Sequence, residues 1–132
     1  MGGLLIAIDS RRLAARIAQI ADDHKALDIV VLDMHGRWYV ADYFVIASGS
    51  NPRQLRAIAE EVQREAKAAG ERLLGAEGLP VSRWVLLDYG DVIAHLFEPT
   101  TRAFYDLEML WGDAPRVAWK RFKRVPLAEL AK

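Results

Sequence analysis

Apolar and polar positions alternate along this chain with two different periods, and the change of period divides it into elements. Leu13, Ile17 and Ile20 recur at helical spacing after Asp9 and Ser10, both good N-caps, so a first helix is predicted to start there. The pattern fades near Asp22-Asp23-His24. Leu27 to Met34 is then β-branched and apolar on both faces, which predicts a buried strand, with a turn at His35-Gly36-Arg37. Tyr43 to Ala47 is a second strand of the same kind. Asn51 can cap a following helix, Pro52 suits its first position, and Gln54 can reach back to complete a capping box. Leu55, Ile58, Val62 and Ala66 make its buried stripe and Gly70 stops it. Gly75 to Pro80 reads as a loop. Trp84 to Phe97 reads as a hairpin, and a last helix capped by Thr100 or Thr101 carries Phe104, Leu107 and Trp111 to Gly112. Helices before and between strands predict an α/β fold, a mixed β-sheet with helices packed on it.

The 132 residues fit one compact domain, and an apolar fraction of 52% is enough for a core. With no cysteine, disulfides and thiolate metal sites are excluded. The apolar run Leu4 to Ile8 is short and is followed at once by Asp9, Arg11 and Arg12, so no membrane segment is expected and the protein is predicted to be soluble and cytoplasmic. The formal net charge of zero hides a division. From Gly112 onward there are six Lys/Arg against two acids, so the remainder is acidic by four charges. That division sets an acidic body, residues 1–111, against a basic C-terminal extension, residues 112–132. It also fits a body that meets a basic protein.

The hairpin separates core from surface. With Tyr89 and Gly90 as a two-residue turn, Asp88 faces Asp91, Leu86 faces Ile93, and Trp84 faces His95. One face then carries Val85, Leu87, Val92, Ala94 and Leu96, wholly aliphatic and suited to pack on helices. The other carries Trp84, Leu86, Asp88, Asp91, Ile93, His95 and Phe97. Aromatics mixed with acids suit a protein interface better than a core, because unpaired buried charge is costly. On composition a half-buried Trp84 at a sheet edge explains the same pattern equally well. A one-residue slip of the turn would exchange the two faces.

Four segments together resemble the ribosomal silencing factor (Iojap-related) family: Ala41-Asp42-Tyr43-Phe44-Val45-Ile46-Ala47-Ser48-Gly49-Ser50, Gly75-Ala76-Glu77-Gly78, Trp84 to His95, and Arg102 to Trp111. The resemblance runs from the first helix through Trp111, so residues 1–111 are taken as the family domain and 112–132 as lying outside the shared pattern. It implies a two-layer α/β fold like that of nucleotidyltransferases, and a homodimer. It further implies binding to protein uL14 of the large ribosomal subunit, which blocks subunit association and lowers translation. The expected partner-binding residues are Trp84, Leu86, Asp88, Asp91 and His95 of the mixed hairpin face, with Tyr105 and Glu108 of the last helix added from the family's ending. No cofactor, metal or catalytic residue is expected.

A competing reading takes Ser48-Gly49-Ser50 as a phosphate-binding turn at a helix N-terminus. It makes the protein a metal-dependent nucleotidyltransferase using Ser50, Asp88 and Asp91. Against it, the two carboxylates flank a turn instead of sharing one strand face as Asp-x-Asp, and a tight structural turn accounts for the glycine. His24, His35 and His95 have no metal-ligand spacing. His95 could titrate near neutral pH or serve as a hydrogen-bonded sheet histidine. In the extension, Trp119-Lys120-Arg121-Phe122-Lys123-Arg124 interleaves cations and rings. This suits ribosomal RNA, or an appended arm whose Trp119 and Phe122 pack on the domain while the charges stay in water.

Overall fold

A computed structural model describes residues 8–37, 41–79, 83–106 and 111–130, with Phe104 and Tyr105 described in backbone only. Helix α1 (Ser10–Asp23) is capped by Asp9, whose side chain accepts from the Arg11 N–H at 2.8 Å. Strand β1 (Leu27–Asp33) pairs antiparallel with β2 (Tyr43–Ser48). Helix α2 (Pro52–Ala68) has Asn51 as its cap, accepting from the Gln54 N–H at 2.9 Å. Gln54 does reach back, but to Ser50, whose N–H donates to Gln54 Oε1 at 2.6 Å. Gly70, at φ +82°, follows the helix end as expected.

Two elements differ from expectation. Gly75–Glu77, read as loop, forms a short strand β3, because Gly75, Ala76 and Glu77 pair with Asp88, Leu87 and Leu86 of β4 (Trp84–Asp88). The pairing is imposed by the neighbouring strand and leaves no periodic trace in three residues. Helix α3 (Pro99–Tyr105) starts with Pro99 in its first turn after Glu98. It ends at Tyr105, well before Gly112, because Asp106 turns left-handed at φ 45°. Leu107 lies outside the described residues.

Strand β5 (Val92–Phe97) completes a mixed sheet in the order β1-β2-β5-β4-β3. The β2–β5 pair is parallel and the other three are antiparallel. The sheet has a core on each side. On the helix side, Val31, Val45, Val85, Leu87, Ala94 and Leu96 pack under the stripes of α1 and α2, including Leu13, Ile17, Ile20, Leu55, Ile58 and Val62. On the other side, Val30, Leu32, Phe44, Ile46, Ile93 and Phe97 are buried with Ala114, and the half-buried Trp111 packs against them. No helix among the described residues is long and apolar enough to cross a membrane.

The segment from Gly112 onward wraps both layers. Val117 N–H donates to Val31 and Asp33 N–H to Pro115, so this segment lines the outer edge of β1. It then crosses to the helix side as a 3-10 turn (Trp119–Arg121) and helix α4 (Leu127–Leu130). There Trp119 and Leu127 enter the core, at 7% and 0% exposure. Gln19, fully buried on α1, donates to the carbonyls of Trp119 (3.3 Å) and Phe122 (2.9 Å). Glu65 of α2 pairs with Arg16 at 2.8 Å and accepts from the Leu127 N–H at 3.1 Å. Arg124 reaches Asp22 and Asp23. Trp119 is therefore buried and Phe122 half-buried, while Lys120, Arg121, Lys123 and Arg124 remain exposed.

Candidate partner-binding face

The hairpin register differs from expectation by two residues. Trp84 pairs with Phe97, Leu86 with His95 and Asp88 with Ile93. The cause is Tyr89, which continues the aliphatic face and is buried in the helix-side core at 8% exposure. It cannot sit at the tip of a two-residue turn. The connection runs from Tyr89 to Val92, with the Tyr89 N–H donating to the Val92 carbonyl at 2.9 Å. Gly90 takes φ +85° and donates to Asp88 Oδ1 at 2.8 Å. Because side chains alternate with period two, a shift of two leaves every face assignment in place. The aliphatic face is in the helix-side core, and Trp84, Leu86, Ile93, His95 and Phe97 share the other side.

This second face is graded. Ile93, His95 and Phe97 on β5 are buried, Trp84, Leu86 and Asp88 on β4 are half-buried, and Glu77 on β3 is exposed. Trp84 stacks on Phe97 at 5.0 Å between ring centroids and 25° between planes. Its indole N–H donates to His95 Nδ1 at 3.3 Å. His95 also lies 4.7 Å from Phe44, edge to face, and parallel to Phe97. Burial pushes the His95 imidazole down to about 4, so it is neutral near pH 7. With Nδ1 accepting from Trp84, the proton resides on Nε2, which has no partner among the described residues. Of the two readings of His95, the hydrogen-bonded sheet histidine is the one found, a neutral imidazole that fixes the Trp84 ring.

Of the other expected residues, Asp88 continues the row beyond Leu86, and its carboxylate is engaged with the turn. Asp91 is exposed past the turn, at the opposite end of the hairpin from Trp84. The Tyr105 side chain and Glu108 lie outside the described residues. Glu77 joins the face across from Leu86. The sequence reading missed it because it placed Gly75–Pro80 in a loop.

The residues of the nucleotidyltransferase reading are not brought together. Asp91 sits beside Asp42 at the start of β2, its carbonyl accepting from the Asp42 N–H at 2.8 Å. Ser50 follows the other end of the same strand. With six strand residues between them and a rise of about 3.3 Å each, the two ends are roughly 20 Å apart. The donors of the Ser48-Gly49-Ser50 turn are also spent internally. Gly49 N–H goes to Phe97 and Ser50 N–H to Gln54, while Ser48 Oγ accepts from Arg102 at 2.8 Å. His24 contacts Glu61, and His35 lies between Asp33 (2.6 Å) and Asp42 (3.4 Å). Among the described residues, no group of three or more such side chains could hold a metal ion.

Residues 7–131 match the family model described as "Ribosomal silencing factor during starvation". The chain belongs to the ribosomal silencing factor family. It is 47% identical to ribosomal silencing factor RsfS of Bacillus subtilis, over 74% of this chain and 83% of that one. It is 36% identical to the chloroplastic protein Iojap of Arabidopsis thaliana, over 83% of this chain and 45% of that longer protein. A crystal structure of a Chromobacterium violaceum protein, 34% identical, superposes with a TM-score of 0.76 over 80% of this chain and 88% of that one. Family membership covers the sheet, both helices and the wrapped segment, so the silencing-factor match extends over residues 112–131 as well.

Proposed function

We propose that this family member binds the large ribosomal subunit through ribosomal protein uL14 in the cytoplasm. There it occludes the surface that the small subunit must meet, and so represses translation. It acts as a rigid obstacle and needs no catalytic group. The observation that carries the reading is the state of Trp84. Its ring is half-buried, stacked on Phe97 and tied through its N–H to a neutral His95, so little side-chain entropy remains to be lost on binding. Asp88 at the end of the row, Glu77 across from Leu86 and Asp91 past the turn give this side of the hairpin negative charge, which suits a basic ribosomal protein. Leu86 and His95 form the apolar floor, and Tyr105 and Glu108 are assigned to the same contact from the family pattern. The free protein is proposed to be a homodimer, which light scattering at micromolar concentration tests.

The deciding experiment is co-sedimentation of the Trp84→Ala variant with isolated large subunits. Truncating an interfacial anchor of this kind costs on the order of 2 kcal/mol, about thirtyfold in affinity. A folded variant that sediments like the parent protein rejects this face.

A further inference from the structure

We propose that the helix side of the molecule carries a second binding site, a groove that takes the phosphate backbone of single-stranded RNA. The wrapped segment leaves a hollow of about 500 Å³ between itself and α1, lined by Arg12, Arg16, Gln19, Arg121, Phe122 and Lys123 among others. The floor of this hollow is already satisfied. Arg16 is paired with Glu65, and both amide hydrogens of Gln19 are engaged by the Trp119 and Phe122 carbonyls. The rim is not. Arg12, Arg121 and Lys123 are exposed, and none has an acidic partner among the described residues. Arg124, by contrast, is neutralised by Asp22 and Asp23.

Three free cations around a hollow with no spare floor donor define the ligand chemistry. They attract a repeated anion and offer no hydrogen-bond pattern for reading bases. The ring of Trp119 is buried, and that of Phe122 is half-buried with Arg11 over it at 5.9 Å, so neither presents a fully open ring to bases and the cations are the main attraction. A phosphate backbone fits such a rim, since a guanidinium presents a fork matched to phosphate oxygens. An enclosed small ligand would need converging donors at the floor, which are absent there. The choice of RNA as the polyanion rests on the ribosome-binding reading; the groove itself does not. Trp84 and the groove lie on opposite sides of the sheet, so each can be disabled without touching the other.

The test uses the full chain, a fluorescein-labelled 12-nucleotide oligouridine and fluorescence anisotropy from 50 to 200 mM salt. Three phosphate contacts on a single strand predict a log–log slope of about −2, roughly a twentyfold loss across that range. The variant R12Q/R121Q/K123Q, checked for an unchanged melting temperature, should bind at least about tenfold more weakly at 50 mM with a nearly flat slope. Trp84→Ala should keep the oligouridine binding while losing large subunits. No oligouridine binding by the parent protein, or equal slopes for parent and triple variant, overturns the groove. Competition by ATP at equal phosphate concentration as strong as by the RNA assigns the hollow to a free nucleotide. Equal displacement by oligoglutamate assigns it to an acidic protein. Either result overturns the RNA assignment. Groove-dependent RNA binding by a protein that fails to sediment with large subunits removes the ribosome reading alone.

Discussion

Acidification should weaken this fold between pH 6.5 and about 4 chiefly through His95, with the paired Glu65 carboxylate adding to the loss only at the acid end of that window. In the unfolded chain its imidazole takes up a proton near the ordinary value of 6.5, whereas in the folded protein burial delays protonation to about 4. Its neighbours across the strands are Ile46 and Leu86, and its ring contacts are Trp84, Phe44 and Phe97, so among the described residues no carboxylate faces it to stabilise a positive charge. The folded-state value is depressed. Stability is therefore fully present above pH 6.5 and is lost as pH falls toward 4, where the unfolded state binds the extra proton. At about 1.4 kcal/mol per pH unit, the loss across the window is on the order of 3 kcal/mol. His35 acts with the opposite sign. Its hydrogen bond to Asp33 raises its value, so its contribution is present at low pH and lost as pH rises. Being exposed, it is screened by solvent and cannot mask the larger effect. The assay is urea unfolding followed by far-ultraviolet circular dichroism at half-unit steps from pH 7 to 4.5. The midpoint should fall steadily below pH 6.5 in the parent and in His35→Gln, and stay nearly level in His95→Gln. An unchanged slope in His95→Gln refutes the argument.

Charge at the hairpin tip is best tested at Asp91, because Asp88 also holds the Gly90 N–H: Asp91→Lys should bind large subunits more weakly than Asp91→Asn, and equal binding rejects an electrostatic role. Leu127→Ala should lower unfolding free energy by about 3 kcal/mol, since a fully buried leucine is lost from the main core; a change under about 1 kcal/mol in a urea titration means that α4 is dispensable. Gly78→Ala should disturb the Trp84 corner, because a Cβ there would lie 1.9 Å from the Trp84 carbonyl oxygen at φ +84°, and near-ultraviolet circular dichroism of the indole should report it. An unaltered indole signal in that variant contradicts the close approach.

The parts of the fold that could be read in the sequence are those specified locally. Asp9 and Asn51 cap their helices as their chemistry dictates, and the α2 stripe is buried residue for residue. The two hairpin faces survived an error in the turn because alternation tolerates an even shift. What could not be read depends on distant pairing. β3 exists only because β4 is beside it, and the outer edge of β1 is met by residues more than eighty positions later. The same non-local cover hides His95, whose sequence environment of Ala94 and Leu96 says nothing of Trp84, Phe44 and Phe97 around it. The row Trp84–Leu86–Asp88 was legible from alternation alone. Glu77 was not, and neither was the Arg12–Arg121–Lys123 rim, since Arg12 meets the others only after the chain has wrapped.

That wrapping has a consequence for how the protein is made. Gln19 is closed in by carbonyls 100 and 103 residues downstream, and Glu65 by an amide 62 residues downstream. During vectorial synthesis α1 therefore emerges long before its cover exists, with its buried glutamine and the apolar floor beneath Trp119 open to water or to other chains. Contacts of such long sequence separation form late, because the intervening loop must first be closed. A nascent chain halted before Leu127 would display a sheet and two helices around an unfinished core, a species suited to capture by a chaperone or a protease. Correct assembly is thus gated by arrival of the downstream segment.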